Sequence, residues 1–302
     1  MKDFISFTDH PLEELTELLD RADWLRTAWL EHRMPQSLRD HKVALWFYGN
    51  GFRNRVAFEL GAKSMGALVS FIPGELGEYE PLEDIGGYLD NWFTMLVARV
   101  RRHENLLSVA KLSAIPVINA RTDKGHPCEV LGDLQYVRRY RGTLDGLKVV
   151  FVGEATNLCM SWLEAASVFP IGVTQVCPKG YEVSQETMRR LSQNGAGRLA
   201  VTNDLGQALK SVDLIYTDCW PRARDYAEQS RIESEFLPYQ ITARHLSALG
   251  DKGLFLPCPP VTRGEEVSAD AMKSSFCKNF EAKENLLHVQ NAIMERLAKV
   301  ER

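Results

Sequence analysis

Arg53 and Arg55 follow a Gly49-Asn50-Gly51 turn, where a strand-like run, Val43–Tyr48, gives way to a helix-like pattern with Val56, Phe58 and Leu60. A strand, a tight glycine turn and a helix start together leave a concave group of unpaired backbone N–H donors, which suits an anion. Guanidiniums beside that turn add bidentate, charge-assisted contacts, so the chemistry indicated is recognition of a phosphate or carboxylate. The plainer alternative is two solvated arginines on a surface turn. Arg99 and His103 form a second basic pair, with Arg99 closing another strand-like run. Here the alternative is a surface arginine in the locally basic Arg99-Val100-Arg101-Arg102. His126 precedes Pro127, a residue suited to a helix's first turn, so its ring would sit at a helix N-terminus with Glu129 close by. A histidine in that place is otherwise a cap or a core residue.

The totals narrow the classes of function. A chain of 302 residues is long enough for two domains, each with its own core. Its net charge of -4 argues against bulk electrostatic binding of nucleic acid. No apolar run approaches the roughly 18 residues a membrane helix needs, and Met1-Lys2-Asp3 leads into no signal-like segment. The six cysteines (Cys128, Cys159, Cys177, Cys219, Cys258 and Cys277) are scattered without a C-x-x-C pair. That usage fits free thiols in a reducing cytoplasm better than disulfides or a zinc site.

These residues need elements to position them. Residues 10–32 read as a helix that Asp9 can cap, with Leu12, Leu15, Leu18, Leu19 and Leu25 at helical spacing. Strand-like runs then follow at Val43–Tyr48, Ala67–Ile72, Thr94–Val100 and Ile115–Asn119, with helical patterns at Pro81–Trp92 and His103–Leu112 between them. A second series starts after Gly142, with strands predicted at Leu147–Val152, Gly172–Val176, Leu199–Val201, Asp213–Tyr216 and Gly253–Leu256. Helices are predicted near Leu158–Phe169, Ser184–Gln193 and Leu205–Lys210, and a last one at Ala282–Ala298. The alternation predicts an α/β fold of two doubly wound parallel-sheet domains, joined by the helical segment near Pro127–Tyr140. In open parallel sheets ligands lie beyond the carboxyl ends of the strands. The loops there, including Gly49–Arg55, Asn119–Glu129, Gly153–Asn157, Thr217–Trp220 and Pro257–Pro260, hold most of the unusual polar residues.

Taken in order, those loops resemble the aspartate/ornithine carbamoyltransferase family, most closely its ornithine branch. The segments that carry the likeness are FRNRVAFELGAKSMGA, IPVINARTDKGHPCEVLGDL, FVGEATN, LIYTDCW and LPYQIT. Family members have S-T-R-T-R, H-P-x-Q-x-L-x-D, V-G-D-x-x-N, Y-T-D-V-W and P-Y-Q-V-T at these places, and the match runs nearly the length of the chain. The resemblance implies a carbamoyl-phosphate domain over residues 1–140, with the helix at 282–302 packing back on it, and an acceptor domain over 141–281. It also implies a homotrimer without metal or organic cofactor, whose substrates are carbamoyl phosphate or another anion and an amino-acid acceptor.

By the same resemblance Gly51, Phe52, Arg53, Asn54 and Arg55 form the phosphate loop, and Arg99 contacts carbamoyl phosphate. His126 polarises the carbonyl, and Glu129 takes the place of a family glutamine at the carbamoyl nitrogen. Asn157 and Asp218 receive the acceptor's carboxylate and ammonium, and Cys258 stands where the ornithine enzymes have the cysteine of H-C-L-P. Arg222, in a loop that departs from the family, is a candidate for an acidic substituent on the acceptor. Phe52 replaces a hydroxyl donor, and Leu286 falls where the family has an arginine. Glu75, Glu78 and Glu80 stand where basic or amide groups are usual. Glu129 would oppose a nearby phosphate unless the arginines compensate or the carboxyl is protonated. Two further readings therefore stay open: another substrate, one bearing a cation, or a non-catalytic relative.

Overall fold

The computed structural model describes residues 1–193 and 195–299. The chain divides into two compact units, the first formed by Met1–Tyr136 and the chain from Lys283 onward, the second by Val137–Ala282.

In the first unit, helix α1 (Leu12–Leu30) is followed by β1 (Lys42–Phe47), α2 (Phe52–Ser64), β2 (Leu68–Pro73), α3 (Leu82–Trp92), β3 (Met95–Arg99), α4 (His103–Leu112) and β4 (Val117–Arg121). Helix α5 (Pro127–Arg141) begins in this unit, and the last helix, α11 (Asn279–Ala298), returns to it. The four strands are parallel in the order β2-β1-β3-β4. β1 and β3 are near-continuous apolar runs because both faces of a parallel sheet are covered. On one face Ala44, Leu96 and Ala98 pack with Ile85, Leu89, Leu106 and Val109 of α3 and α4. β2 lies at the edge and leaves Leu68 and Phe71 exposed.

The second unit holds five parallel strands in the order β7-β6-β5-β8-β9. These are β5 (Lys148–Val152), β6 (Gly172–Val176), β7 (Arg198–Thr202), β8 (Leu214–Thr217) and β9 (Leu254–Pro257). Between them run α6 (Asn157–Val168), α7 (Gln185–Ser192), α8 (Leu205–Ala208), α9 (Tyr226–Phe236) and α10 (Ala243–Leu246). Val150, Val152, Ile215 and Phe255 of the sheet meet Leu205, Leu209 and Leu246 in one core.

The predicted alternation of strands and helices matches this order, with three informative differences. Asp9 does not cap α1: it ends a short 3-10 turn and accepts from the Ser6 N–H at 3.1 Å, while Pro11 precedes α1 without a side-chain cap. β4 starts at Val117, not Ile115, because Pro116 has no N–H to give the ladder, and it runs two residues further, to Arg121. Helix α9 has no counterpart among the sequence expectations. It buries only Ile232 and Phe236 along an otherwise polar face.

α2 is fixed against α11 by a close approach at Gly61. A Cβ there would lie 2.0 Å from Asn291 Oδ1, and Asn291 is fully buried. Alanine is ordinarily better than glycine in a helix by about 1 kcal/mol. We predict the reverse here. Gly61→Ala should destabilise the protein by about 1–3 kcal/mol through overpacking, read as a lower urea midpoint. A midpoint at or above wild type would mean that Asn291 moves aside freely.

Candidate active site

Strand order dictates where the first site forms. From β1 the chain moves outward to β2, and from β3 in the other direction to β4, so the crevice beyond β1 and β3 is the switch point of the sheet. Gly51 sits there in the left-handed region, with φ 45°, as the N-terminal flank of α2, which has no side-chain cap. Arg99 is the ladder partner of Phe47 on one side and of Arg121 on the other, with a register shift between Ala98 and Arg99. Such an irregularity re-aims a side chain. Here Arg99 passes over the turn so closely that a Cβ on Gly51 would meet its Cδ at 2.9 Å. Glycine is therefore required at position 51 for both its φ and this approach. Arg99 Nε is buried with no hydrogen-bond partner among the described residues. Burial, then the neighbouring Arg121, and further Arg53, lower the pKa of Arg99, opposed by Tyr48 and Glu129.

His126 stands immediately before α5, as the sequence predicts, and is buried. Burial, aided by Arg121, Arg99 and Lys283 and opposed by Glu129, takes its pKa down to about 3, so the imidazole is neutral near pH 7. Glu129, one turn into α5, is buried too, with Oε2 3.8 Å from His126 Nε2 and Oε1 2.7 Å from Lys283 Nζ. Burial alone would push this carboxyl up; Lys283 first, then Arg53, outweigh it and hold the pKa below the usual range. Lys283 also donates to both oxygens of the buried Asp133 at 2.8 Å. Glu129 is thus an ionised carboxylate with its own cation, and the protonated alternative is not the one adopted. Lys283 and Arg121 carry site charge that the sequence reading assigned no role. Arg121 had one signal, a strand-end arginine in a loop already marked as polar.

The remaining predicted residues of this unit are placed as follows. Arg53 lies among the charges acting on Arg99 and Glu129. Arg55 stands over an aromatic ring, its guanidinium 4.6 Å from the centre of the Phe71 ring. Asn54 is buried, donating to the Ala120 carbonyl and accepting from Gln290 Nε2, each at 2.8 Å. Its carboxamide is a strut, held at both its nitrogen and its oxygen. Phe52 is 60% exposed, so its ring does not plug the turn. His103 joins Thr122 Oγ1 at 2.9 Å and takes the structural role of tying α4 to the loop after β4. Glu75 accepts from the Arg101 N–H at 2.8 Å, which holds the acidic loop to its own unit.

The second unit repeats the logic with opposite charge. Its switch point lies beyond β5 and β8, whose last residues, Val152 and Thr217, are ladder partners. A Cβ on Gly153, whose φ is 154°, would meet the Phe151 ring at 3.3 Å and stand 3.9 Å from the Asp218 backbone. Thr156 caps α6 by accepting from the Cys159 N–H, which puts Asn157 in its first turn. Glu154 and Glu266 join Asp218 here. Burial first, then Asp218, raises the pKa of Glu154. Burial pushes Glu266 up to about 7 against two backbone hydrogen bonds, with Glu265 and Asp218 adding to the rise. Glu266 Oε1 accepts from the Thr262 N–H at 2.6 Å, whereas Oε2 is buried without a hydrogen-bond partner among the described residues. Neither glutamate was singled out from sequence. Cys258, half-buried, keeps its N–H on the Thr217 carbonyl, and its thiol is 3.8 Å from the Pro259 oxygen. Arg222 is exposed. No group of three or more His, Cys, Asp or Glu able to hold a metal occurs among the described residues.

Comparison with known proteins agrees with the segments quoted above. The carbamoyl-P binding domain model of the aspartate/ornithine carbamoyltransferase family matches residues 2–139, and its Asp/Orn binding domain model matches residues 145–297. The ornithine carbamoyltransferase of Chlorobaculum tepidum is 33% identical over 98% of this chain and 89% of its own. That of Methanosphaera stadtmanae is 31% identical over 99% and 100%. Among solved structures, ornithine carbamoyltransferase from Pyrococcus furiosus superposes with a TM-score of 0.94 at 28% identity, covering 99% of this chain and 98% of that one.

The neutral state of His126 has a measurable sign. Its folded value, about 3, lies below the ordinary 6.5, so the unfolded chain binds this proton first as pH falls. The stability it contributes is complete above about pH 6.5 and is lost progressively toward pH 3. His126→Gln should therefore flatten the stability profile between pH 6 and 4 by up to about 1.4 kcal/mol per pH unit, one proton's worth, in urea titrations. Parallel profiles for the two proteins would show that the imidazole is already charged in the folded state.

Proposed function

The chain belongs to the aspartate/ornithine carbamoyltransferase family, and on that premise we propose that it transfers a carbamoyl group from carbamoyl phosphate to the amine of ornithine or a related amino acid. The observation that carries this reading is the gathering of Arg53, Arg99 and Arg121 with a neutral His126 at one switch point. The first unit is the donor domain in this reading and the second the acceptor domain. Phosphate is held by Arg53, Arg99 and Arg121 with the backbone N–H groups at Gly51 and Phe52. Arg55 and Asn54 support the loop from behind.

A carbamoyl group's oxygen and nitrogen are about 2.3 Å apart, from ordinary bond lengths and angles. Partners 3.8 Å apart, as His126 Nε2 and Glu129 Oε2 are, can reach both with slightly splayed hydrogen bonds. His126 then donates to the carbonyl oxygen and Glu129 accepts from the nitrogen. The amine nitrogen attacks the carbonyl carbon, the carbon–oxygen bond to phosphate breaks, and the phosphate leaves with the electron pair. The amine loses its proton to the departing phosphate or to solvent. Orientation and neutralisation of the leaving group supply the catalysis.

On the acceptor side Asn157 takes the α-carboxylate, and Asp218 the α-ammonium, with Glu154 and Glu266 adding negative charge. Cys258 lies beside the attacking amine, and Arg222 selects among acceptor substituents. A homotrimer is the assembly that accompanies this reading. Exposed aromatic surface in the first unit supports it, including Tyr88 and Trp92, stacked at 5.5 Å. A reducing cytoplasm suits the six free thiols.

The test is release of phosphate and formation of a carbamoylated product from carbamoyl phosphate with ornithine and a panel of amines. Turnover should appear with at least one amino acid, and Arg99→Met should lower kcat/KM by about two to three orders of magnitude. No product with any amine, and no thermal protection by carbamoyl phosphate, would reject the proposal.

A further inference from the structure

The resemblance calls for an arginine at position 286, and the chain has a leucine. Leu286 is buried, and its backbone lies so close to α5 that a Cβ on Gly132 would meet the Leu286 Cα at 3.2 Å. Lys283 stands three residues earlier on α11, hence on the same side of the helix. Its side chain is 10% exposed, and its ammonium meets three carboxylate oxygens, one of Glu129 and two of Asp133. Glu129 and Asp133 are themselves one helical turn apart on α5. An ammonium has three N–H donors, so those contacts commit Lys283 to the two carboxylates. Its effect on a ligand must pass through Glu129.

Building on the donor site proposed above, we infer that Lys283 is a positioning residue for the carbamoyl group: it binds one oxygen of Glu129, cancels that charge toward phosphate, and leaves the other oxygen to accept the carbamoyl N–H. Glu129 and Lys283 together then do the work of one neutral acceptor. The site on this account selects a neutral carbamoyl group, and the reading in which Glu129 faces a cationic substrate is disfavoured because a cation of the chain already holds one of its oxygens. The groups that face Glu129 are the cations Arg53 from α2 and Lys283 from α11, the neutral His126 on α5, and one further carboxylate, Asp133 on α5, with Arg99 and Arg121 acting on His126 from β3 and β4. Remove Lys283, and a buried carboxylate pair confronts the phosphate with one positive charge fewer.

The experiment is calorimetric titration of the full chain with fresh carbamoyl phosphate, and with inorganic phosphate as the ligand lacking a carbamoyl group. Lys283→Met should weaken carbamoyl phosphate binding upward of about 30-fold at pH 8, the usual scale for an orphaned buried charge. Affinity should recover toward pH 6 as Glu129 takes up a proton. Adding Glu129→Gln to Lys283→Met should restore binding to within about threefold of wild type, because an amide acceptor needs no counter-ion. A purely structural lysine gives no such rescue. Wild-type affinity in Lys283→Met overturns the inference, as does a loss that Glu129→Gln leaves unrepaired. If Lys283→Met alone does not fold, the double variant decides the matter by binding or not. Failure of the double variant to fold, with Glu129→Gln folded, also overturns the inference, since Lys283 would then hold the fold and not the carboxylate. Failure of the wild type itself to bind carbamoyl phosphate removes the donor reading, and the inference with it, before any variant is compared.

Discussion

Three guanidiniums, Arg53, Arg99 and Arg121, gather at the carboxyl end of a four-stranded sheet, and like charges so placed are stable only beside negative charge. Arginine cannot escape by losing its proton, as a buried lysine can. Repulsion must therefore be met by a resident carboxylate, by a bound anion, or by both. Glu129 and Asp133 supply resident negative charge, and Lys283 takes part of it back. The balance that results leaves net positive charge beside the turn before α2. The same field settles the state of His126. Burial and the surrounding cations both disfavour imidazolium, so the residue is a neutral imidazole.

The sheet makes this crowding possible. Because β1 and β3 are neighbours although β2 and its flanking helices intervene in sequence, the turn before α2 and the end of β3 are brought to one crevice. The register shift at Ala98–Arg99 turns Arg99 toward Gly51, and the late start of β4 carries Arg121 onto the ladder beside it. Gly51 yields the space. Behind the loop, Asn54 links the first turn of α2 to β4 through Ala120 and to α11 through Gln290. A polar residue where the family has threonine has thus become part of the scaffold that holds Arg53 in place.

Most of the scaffold was legible in the sequence, since short apolar runs alternating with helical patterns leave few topologies open. The placing of polar residues at the carboxyl ends of the strands was legible for the same reason, because the strand runs themselves were. What escaped depended on tertiary placement. Lys283 is an ordinary lysine on an amphipathic helix until α11 comes back against α5. Arg121 looked like a loop residue because Pro116 moves the strand two places along. α9 was missed because Ile232 and Phe236 are its only buried residues, too few to mark a period. The contact of Arg55 with the Phe71 ring was not legible either, because spacing in a helix start does not specify side-chain direction.

The second unit completes the electrical argument with the sign reversed. Asp218, Glu154 and Glu266 lie together at its own switch point, and two of the three have pKa values raised first by burial and then by Asp218 or by neighbouring carboxylates. For Glu266 the folded value, about 7, stands above the ordinary 4.5, so folding retains a proton that the unfolded chain has already released. Its contribution is therefore complete below about pH 4.5 and is lost as pH rises toward 7, the opposite course to that of His126. An ammonium group placed among these carboxylates would lower their pKa values and remove that loss, just as a phosphate relieves the arginines of the first unit. Each unit thus carries an electrostatic cost that a bound group of opposite charge would reduce. Binding free energy can be concentrated at each.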